Sequence, residues 1–172
     1  QVRNDGGRST AIEEAACPEG TTFIVRDLFY NTPVRLKFLK KPATETGLVS
    51  DLMMRLILSR PDVSFRYISQ GRTLYHSAGD GQMASAVFSI YGNEMLRAMR
   101  EVNGCQGGVV VKGYVGIGEG SRGNRGHQSF FINGRYVRSG VLSSAVEEAC
   151  RERVMIGRFP TCVLHLTMPY ET

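Results

Sequence analysis

The residues best suited to chemistry are basic side chains gathered in two short windows. Residues 26–41 hold five Lys or Arg against one Asp, and residues 112–138 hold five against one Glu. The whole chain carries a net charge of +5, so the rest of it is net negative. Two basic windows predict a polyanion-binding surface if the fold brings them together, and merely solvated segments if it does not. The candidate phosphate-binding side chains are Arg35, Lys37, Arg122, Arg125, Arg135 and Arg138.

Other kinds of site lack the residues that they need. The spacing Gly118-x-Gly120-x-x-Gly123 fits a dinucleotide fingerprint, but it leads into Asn124 and a strand rather than a helix. We find no phosphate loop and no nucleophile-elbow or zinc-protease motif, so we assign no catalytic residue. Four cysteines without a Cys-x-x-Cys pair, and three histidines without ligand spacing, predict no metal site and buried thiols in a reducing compartment.

Local patterns in the first half predict the elements that would position these side chains. We expect a short strand within 11–17, a strand over 21–27, and a helix over 33–40 that Thr32 caps and Pro33 begins. A longer helix over 44–59 has an apolar stripe that includes Leu48 and Leu52, with Asp51 and Arg55 on the solvent side.

The second half predicts one sheet backed by helices, which is an α+β arrangement. Hairpin turns are expected at Gln70-Gly71, Asn103-Gly104 and Asn133-Gly134. A helix over 82–91 should end at Gly92, and another should be capped by Ser139 and carry a Glu147–Arg151 pair. The remaining expectations are strands over 63–69, 73–76, 97–102, 109–116, 128–132 and 162–168, and a mobile polar loop over 118–126.

Three segments resemble the MutL family of DNA mismatch repair proteins. They are Gly20-Thr21-Thr22, the run Asp27-Leu28-Phe29-Tyr30-Asn31-Thr32-Pro33-Val34-Arg35-Leu36-Lys37-Phe38-Leu39, and Phe130-Phe131-Ile132-Asn133-Gly134-Arg135. The thirteen-residue run is far more specific than a short motif, although that family usually has alanine at the position of Val34. The likeness extends over nearly the whole chain and is strongest in the second and third segments.

The resemblance implies a fold and a division into domains. Residues 1–78 would be the C-terminal portion of a gyrase/chaperone/MutL-type ATPase sandwich. Residues 79–172 would be most of a transducer domain like the second domain of ribosomal protein S5, truncated at its C-terminal end. The first residue is Gln1 rather than methionine, which fits a piece of a longer protein.

The resemblance also implies a function for the parent protein. Such proteins bind ATP with magnesium, dimerise on doing so, contact DNA, and pass a signal from a MutS-like mismatch recognition protein to strand removal. Gly20 and Thr21 would lie at the edge of the ATP pocket. Arg135 matches an arginine linked with DNA binding, and DNA would cross a surface made by Arg135 and the Arg35/Lys37 helix through backbone contacts.

Departures from the family pattern bear on catalysis. The Glu-Asn-x-x-Asp-Ala helix, the Asp-x-Gly-x-Gly loop and the Gly-Phe-Arg-Gly-Glu-Ala lid do not occur, and Asn4-Asp5-Gly6-Gly7 does not replace them. We therefore expect this chain alone neither to bind ATP tightly nor to hydrolyse it, with no cofactor on it. Appreciable turnover by a pure preparation would contradict that expectation.

Three alternatives explain part of the sequence. An S5-like RNA-binding domain accounts for the basic windows but not for the run from Asp27 to Leu39. The transducer domain of a type II topoisomerase or chaperone would share the architecture. A purely structural dimerisation domain would show no salt-dependent binding of nucleic acid. No apolar stretch approaches the ~20 residues that span a bilayer, and the parent is expected to be cytoplasmic and nucleoid-associated if bacterial, or nuclear if eukaryotic.

Overall fold

The computed structural model describes residues 1–169. The chain divides into two compact units, Gln1–Glu45 and Thr46–Thr172. The two units are built differently, because the first consists mostly of turns and short elements whereas the second contains a five-stranded sheet with helices on it.

The first unit opens with an antiparallel hairpin of β1 (Val2–Asp5) and β2 (Arg8–Ile12). Gly6 and Gly7 form its turn with φ of 62° and 94°, values that glycine adopts without steric cost. Asn31 Nδ2 donates a hydrogen bond of 3.3 Å to the carbonyl of Gly6. The strand expected over 11–17 was wrong for most of its length, because β2 ends at Ile12.

Residues 21–26 form no strand, so the expectation of one over 21–27 was wrong. Phe23 is 88% exposed, and Ile24 and Val25 are also exposed. A β-favouring run becomes a strand only when a neighbour pairs with its backbone, and no strand within residues 1–169 does so.

Tight turns connect this segment to helix α1 (Pro33–Leu36). Asp27 and Phe29 have positive φ values of 48° and 70°. The N–H of Tyr30 donates to the Asp27 carbonyl at 3.0 Å, and the N–H of Thr32 donates to the Phe29 carbonyl at 2.9 Å. Pro33 begins the helix as expected, but the helix is only four residues long rather than reaching Lys40.

Helix α2 (Pro42–Ser59) confirms the helical period over 44–59 but not the predicted orientation. Leu48 and Leu52 are 53% and 57% exposed, whereas Arg55 is only 8% exposed. Ile57 and Leu58 are fully buried. Placing Arg55 on the solvent side was wrong, because packing in the second unit selects a different face of the helix.

A hairpin and a kinked helix follow. Strands β3 (Arg66–Ser69) and β4 (Arg72–His76) pair antiparallel, as expected, across the Gln70-Gly71 turn. Helix α3 (Met83–Ala98) contains Gly92 with φ 78° and ψ 176°, which are not helical angles. Gly92 therefore separates two helical segments at a kink, so the helix expected over 82–91 ends there as predicted.

The main sheet consists of β5 (Met99–Gln106), β6 (Val109–Gly116), β7 (Gln128–Ile132), β8 (Arg135–Val137) and β9 (Thr161–Thr167). Their spatial order is β5-β6-β9-β7-β8. Only β7 and β9 run parallel, and α4 (Gly140–Ala149) lies between β8 and β9 in the chain. The turn between β5 and β6 uses Gly107 and Gly108 rather than Asn103-Gly104.

Each face of this sheet carries a cluster of buried residues, and β9 contributes to both clusters. Val163 packs with Phe131 and with residues of α2 and α3 on one face. Cys162, Leu164 and Leu166 pack with Phe130 on the other face, against Leu142 and Val146 of α4. Successive residues of a strand point to opposite faces, so one apolar strand supplies two cores.

The glycine-rich segment 118–126 is packed at its centre, whereas Gly118, Glu119 and residues 123–126 are exposed. Its expected mobility stays a prediction. Gly120 and Ser121 are buried, and Arg122 forms an isolated antiparallel bridge with Phe159. Arg158 Nε donates to Ser121 Oγ at 2.9 Å. A polar segment can pack in this way when its hydrogen bonds are satisfied locally.

The cysteines are free thiols, and only Cys162 is fully buried. Burial raises the pKa of the Cys162 thiol to about 12. Cys17 and Cys105 are exposed, so the expectation of buried thiols was wrong for those two. Among residues 1–169, no helix has the length and hydropathy of a membrane span.

Candidate functional site

Arg135 follows a hairpin turn that the end of β9 holds in place. Asn133 and Gly134 have φ of 47° and 80°, as a two-residue turn with both central residues left-handed requires. The Asn133 amide donates to the Met168 carbonyl at 3.0 Å and accepts from the Met168 N–H at 3.1 Å. The backbone N–H of Asn133 also donates to the Leu166 carbonyl at 2.9 Å. The turn is therefore anchored at three points.

Arg135 and Arg138 lie at and just beyond β8, which is an edge strand of the sheet. Both side chains are exposed, and neither forms a hydrogen bond or ion pair within residues 1–169. Ser139 follows immediately and caps α4, with its Oγ accepting from the Leu142 N–H at 3.2 Å. Within residues 1–169, the structure thus presents two arginines without a hydrogen-bond or ion-pair partner, one at the start of β8 and one just before the cap of α4.

Arg125 is committed to a carboxylate. Its Nε and Nη2 donate to Glu147 at 2.7 and 2.9 Å, and its guanidinium lies 4.9 Å from the centre of the Phe159 ring. This hydrogen bonding holds the pKa of Glu147 below its usual range and raises the pKa of Arg125. The expected Glu147–Arg151 pair was wrong, because Arg151 instead pairs with Glu148.

Arg122 is held by backbone carbonyls of its own segment. Its Nη1 donates to the carbonyls of Glu119 and Ser121 at 3.1 and 2.9 Å. Arg122 therefore orders the segment 118–126 as well as contributing charge to it.

Arg55 is a residue that sequence reasoning missed. Its Nη1 donates to Ser129 Oγ at 3.2 Å, and Nε and Nη2 donate to the two carboxylate oxygens of Asp51 at 3.3 and 3.2 Å. Its guanidinium carbon lies 4.1 Å from the centre of the Tyr136 ring. A signal was available, since Arg55 interrupts the otherwise apolar run 53–58, and an arginine within such a run is buried only when it is paired.

Arg55, Arg125 and Arg138 line one cavity of about 390 Å³ in the second unit. The cavity lies beside the start of α4, and its wall contains no carboxylate residue. Its other lining residues are Gly126, Gln128, Phe130, Tyr136, Val137, Ser139, Gly140 and Ser143. The structure thus brings together Arg125 and Arg138, which were expected site residues, and Arg55, which was not.

The remaining expected site residues belong to the first unit. Gly20 has φ 128°, and a Cβ added there would meet no atom within 4 Å. Thr21 is exposed in the segment that forms no strand. Arg35 lies on α1 with its guanidinium 6.0 Å from the centre of the Phe29 ring, and Lys37 is exposed at the end of that helix.

Comparison with known proteins gives the family. The family described as "DNA mismatch repair protein, C-terminal domain" matches residues 87–172, which is half of the chain. The chain belongs to the MutL family of DNA mismatch repair proteins. The DNA mismatch repair protein MutL of Agathobacter rectalis is 42% identical over 163 residues, covering 95% of this chain and 25% of its own length. That of Shouchella clausii is 39% identical over 168 residues, covering 98% and 26%.

Solved structures agree with this MutL family assignment. The Aquifex aeolicus MutL ATPase domain complexed with ADP matches with a TM-score of 0.61 and 28% identity, covering 84% of this chain and 51% of that one. A second structure of the same ATPase domain gives a TM-score of 0.63 and 26% identity over the same shares of the two chains. This chain therefore spans about a quarter of the curated relatives and half of these structures, and the α+β fold expected from the resemblance is confirmed.

Proposed function

We propose that this chain contacts the DNA backbone and relays nucleotide state within a MutL-type mismatch repair protein. The division into an ATPase portion over 1–78 and a transducer domain over 79–172 is part of the proposal. In this proposal, the β7–β8 hairpin is a rigid element that presents Arg135 to the phosphate oxygens of DNA.

The observation that carries the proposal is the setting of Arg135. Its guanidinium is exposed and unpaired within residues 1–169, on a turn that three hydrogen bonds tie to the end of β9. The anchored turn fixes the backbone beside Arg135, so only the side chain has to become ordered when it binds a phosphate, and its guanidinium can donate two parallel hydrogen bonds. Such a contact positions DNA without reading its sequence.

We assign the proposed nucleotide contacts to the first unit of the chain. The solved Aquifex aeolicus relative is an ATPase domain complexed with ADP, which supports an adenine nucleotide as the ligand of the parent protein. We propose that this ligand is ATP with magnesium. We propose that Gly20 and Thr21 lie at the edge of that ATP pocket. No general base is assigned to this chain, so hydrolysis by the chain alone is not part of the proposal.

Partners and location follow from the repair role. We propose contact with a MutS-like mismatch recognition protein and dimerisation of the parent on binding ATP. The Agathobacter and Shouchella relatives are bacterial, which favours a cytoplasmic, nucleoid-associated protein over a nuclear one. An S5-like RNA-binding role is disfavoured because the matching family is one of DNA mismatch repair.

Binding of duplex DNA as a function of salt concentration tests the proposal. The chain should bind weakly, with an affinity that falls steeply with salt because bound cations are released from the phosphates. Arg135→Gln should weaken binding to all sequences alike and lower the salt slope by about one.

Arg97→Gln is the matched control, because Arg97 is an exposed arginine on α3 rather than on the hairpin. Arg97→Gln should leave the salt slope of duplex-DNA binding unchanged. Equal binding by the wild-type chain and Arg135→Gln would remove Arg135 from the interface. A preference for structured RNA over duplex DNA would favour the S5-like alternative.

A further inference from the structure

We propose that helix α2 sets the position of the β7–β8 hairpin through Arg55, which makes Arg55 a positioning residue for Arg135. Arg55 is 8% exposed, so it acts on Arg135 through the hairpin rather than by reaching a ligand itself. The joint between α2 and the hairpin consists of Arg55, Ser129 and Tyr136. The consequence for DNA binding rests on the proposed function, whereas the joint itself does not.

Strand β8 depends on support from outside the sheet. It is three residues long, and within residues 1–169 it pairs with β7 alone, at the edge of the sheet. The two-residue turn makes Ile132 and Arg135 a hydrogen-bonded pair, and Phe130 and Val137 form the next such pair. So short an edge strand opens easily unless its side chains are held.

A single guanidinium contacts both strands of the hairpin. Arg55 Nη1 donates to Ser129 Oγ on β7 at 3.2 Å, and the guanidinium carbon lies 4.1 Å from the centre of the Tyr136 ring on β8. Its Nε and Nη2 donate to Asp51, one turn earlier on α2, at 3.3 and 3.2 Å. A planar guanidinium can donate along its edge while its face covers a ring, which a lysine ammonium cannot do. Arg55 therefore ties the hairpin to α2.

A second contact, near the end of α2, reaches the same hairpin through β9. The Leu58 carbonyl lies in the last turn of α2, where carbonyl groups lack an intrahelical donor. His165 Nε2 lies 2.9 Å from this oxygen, and the centres of the His165 and Phe131 rings are 4.6 Å apart. Phe131 is directly opposite Tyr136 in the hairpin, with ring centres 5.9 Å apart. Helix α2 thus supports Tyr136 directly through Arg55 and indirectly through His165 and Phe131.

The joint acts on the residue next to Tyr136. Tyr136 follows Arg135 in β8, so a displacement of the Tyr136 ring moves the backbone of Arg135. Asn133 holds the other side of Arg135, because its amide is bonded to Met168 at the end of β9. An ordered backbone leaves less conformational freedom to lose on binding. Release of Tyr136 should therefore weaken binding by Arg135 without removing any phosphate contact.

Amide hydrogen exchange of the whole chain tests the joint. Tyr136→Leu removes the ring, and the amides of Arg135 and Val137 should then exchange about tenfold faster relative to those of β6. The comparison with β6 corrects for any change in global stability. Tyr136→Phe is the matched variant, because it keeps the ring that contacts Arg55 and Phe131, and it should exchange at the wild-type rate.

Tyr75→Leu controls for the loss of an aromatic ring elsewhere in the same cluster. Tyr75 packs against the buried residues of α2 and α3 and stacks on Tyr67 in the β3–β4 hairpin. Its replacement should lower stability without a selective effect at Arg135 and Val137. Wild-type exchange of these two amides relative to β6 in Tyr136→Leu would overturn the proposal.

A double-mutant cycle assigns the effect to Arg55. Arg55→Met removes the joint from the side of α2 and should accelerate exchange of the same two amides. The double variant Arg55→Met/Tyr136→Leu should exchange more slowly than the product of the two single effects predicts, because both substitutions remove one contact. Fully multiplicative effects would show that the two residues act independently, and they would also overturn the proposal.

Binding of duplex DNA by the same variants tests the positioning of Arg135. Tyr136→Leu should weaken binding about fivefold with an unchanged salt slope, whereas Arg135→Gln should lower the slope by about one. Tyr136→Phe should bind like the wild-type chain. If Arg135→Gln weakens binding and Tyr136→Leu does not, Arg55 does not position Arg135. If the wild-type chain binds no DNA, the proposed function fails, and the exchange of Arg135 and Val137 still decides whether α2 holds the hairpin.

Discussion

Arg55 is a charged side chain that is 8% exposed in the packed part of the second unit. Its carboxylate partner Asp51 keeps 43% of its side-chain surface in solvent. Desolvating the carboxylate therefore costs little, while Ser129 and the Tyr136 ring compensate the buried guanidinium. Arg55 consequently links α2 to β7 and β8.

Replacing Arg55 should be costly. We expect Arg55→Ala to lower the free energy of unfolding by about 3 kcal/mol, since it removes hydrogen bonds from a charged group and the contact with the Tyr136 ring. Urea denaturation measures this change. The control is Arg60→Ala, which breaks an exposed pair with Asp62 and should change stability little or not at all. Equal effects of the two substitutions would show that burial of Arg55 contributes nothing.

At the scale of elements, β6 and β9 approach so closely at Gly113 that no side chain fits. A Cβ on Gly113 would lie 1.9 Å from the Val163 carbonyl oxygen, and Gly113 has φ 152°. These two strands are at the centre of the order β5-β6-β9-β7-β8. The close pairing of β6 with β9 therefore depends on a residue without a side chain.

Gly113→Ala should lower the free energy of unfolding by about 2–4 kcal/mol, because the strands must separate or the backbone must rotate. Gly104→Ala is the matched control on β5, where an added Cβ meets no atom within 4 Å. Thermal unfolding of both variants, followed by circular dichroism, is the measurement. A stable Gly113→Ala protein would mean that β6 and β9 tolerate a wider spacing.

At the scale of the whole molecule, two histidines couple folding to pH. His165 lies at the Phe131 face of the sheet with its Nε2 2.9 Å from the Leu58 carbonyl. Burial is the largest cause of the lowered pKa of His165, and burial and then Arg122 lower the pKa of His127. Both pKa values fall below the usual 6.5. Between those lowered pKa values and pH 6.5, the native state therefore binds fewer protons than the unfolded state.

The contribution of these two histidines to the free energy of unfolding should be fully present above pH 6.5 and should be lost as the pH falls through the lowered pKa values. Each histidine adds at most about 1.4 kcal/mol per pH unit to this dependence. Urea denaturation at a series of pH values measures it. His165→Gln should flatten the dependence, whereas exposed His76→Gln should not alter it. An unchanged slope in His165→Gln would assign the acid sensitivity to other groups.

Two of the three expected hairpin turns and the cap of α4 were predicted correctly from neighbours in sequence. The turns at Gln70-Gly71 and Asn133-Gly134 formed where expected, because glycine and asparagine tolerate the positive φ of such turns. Ser139 caps α4 for an equally local reason. The run from Asp27 to Leu39 and the segment that ends at Arg135 indicated the family by residue order alone, because a long specific pattern needs no three-dimensional information.

Features that depend on distant residues were decided only by the tertiary structure. The segment 21–26 favours a strand locally but has no paired neighbour within residues 1–169. Glu147 binds Arg125, 22 residues away, rather than Arg151 one helical turn away. Arg55 is buried because Ser129 and Tyr136 lie beside it. The helical periodicity of residues 44–59 does not reveal either contact. The sequence by itself determined the family, the α+β class and the turns at Gln70-Gly71 and Asn133-Gly134. Only tertiary structure decided which arginines are paired, which are free and which share a cavity, because those properties depend on distances between residues far apart in the chain.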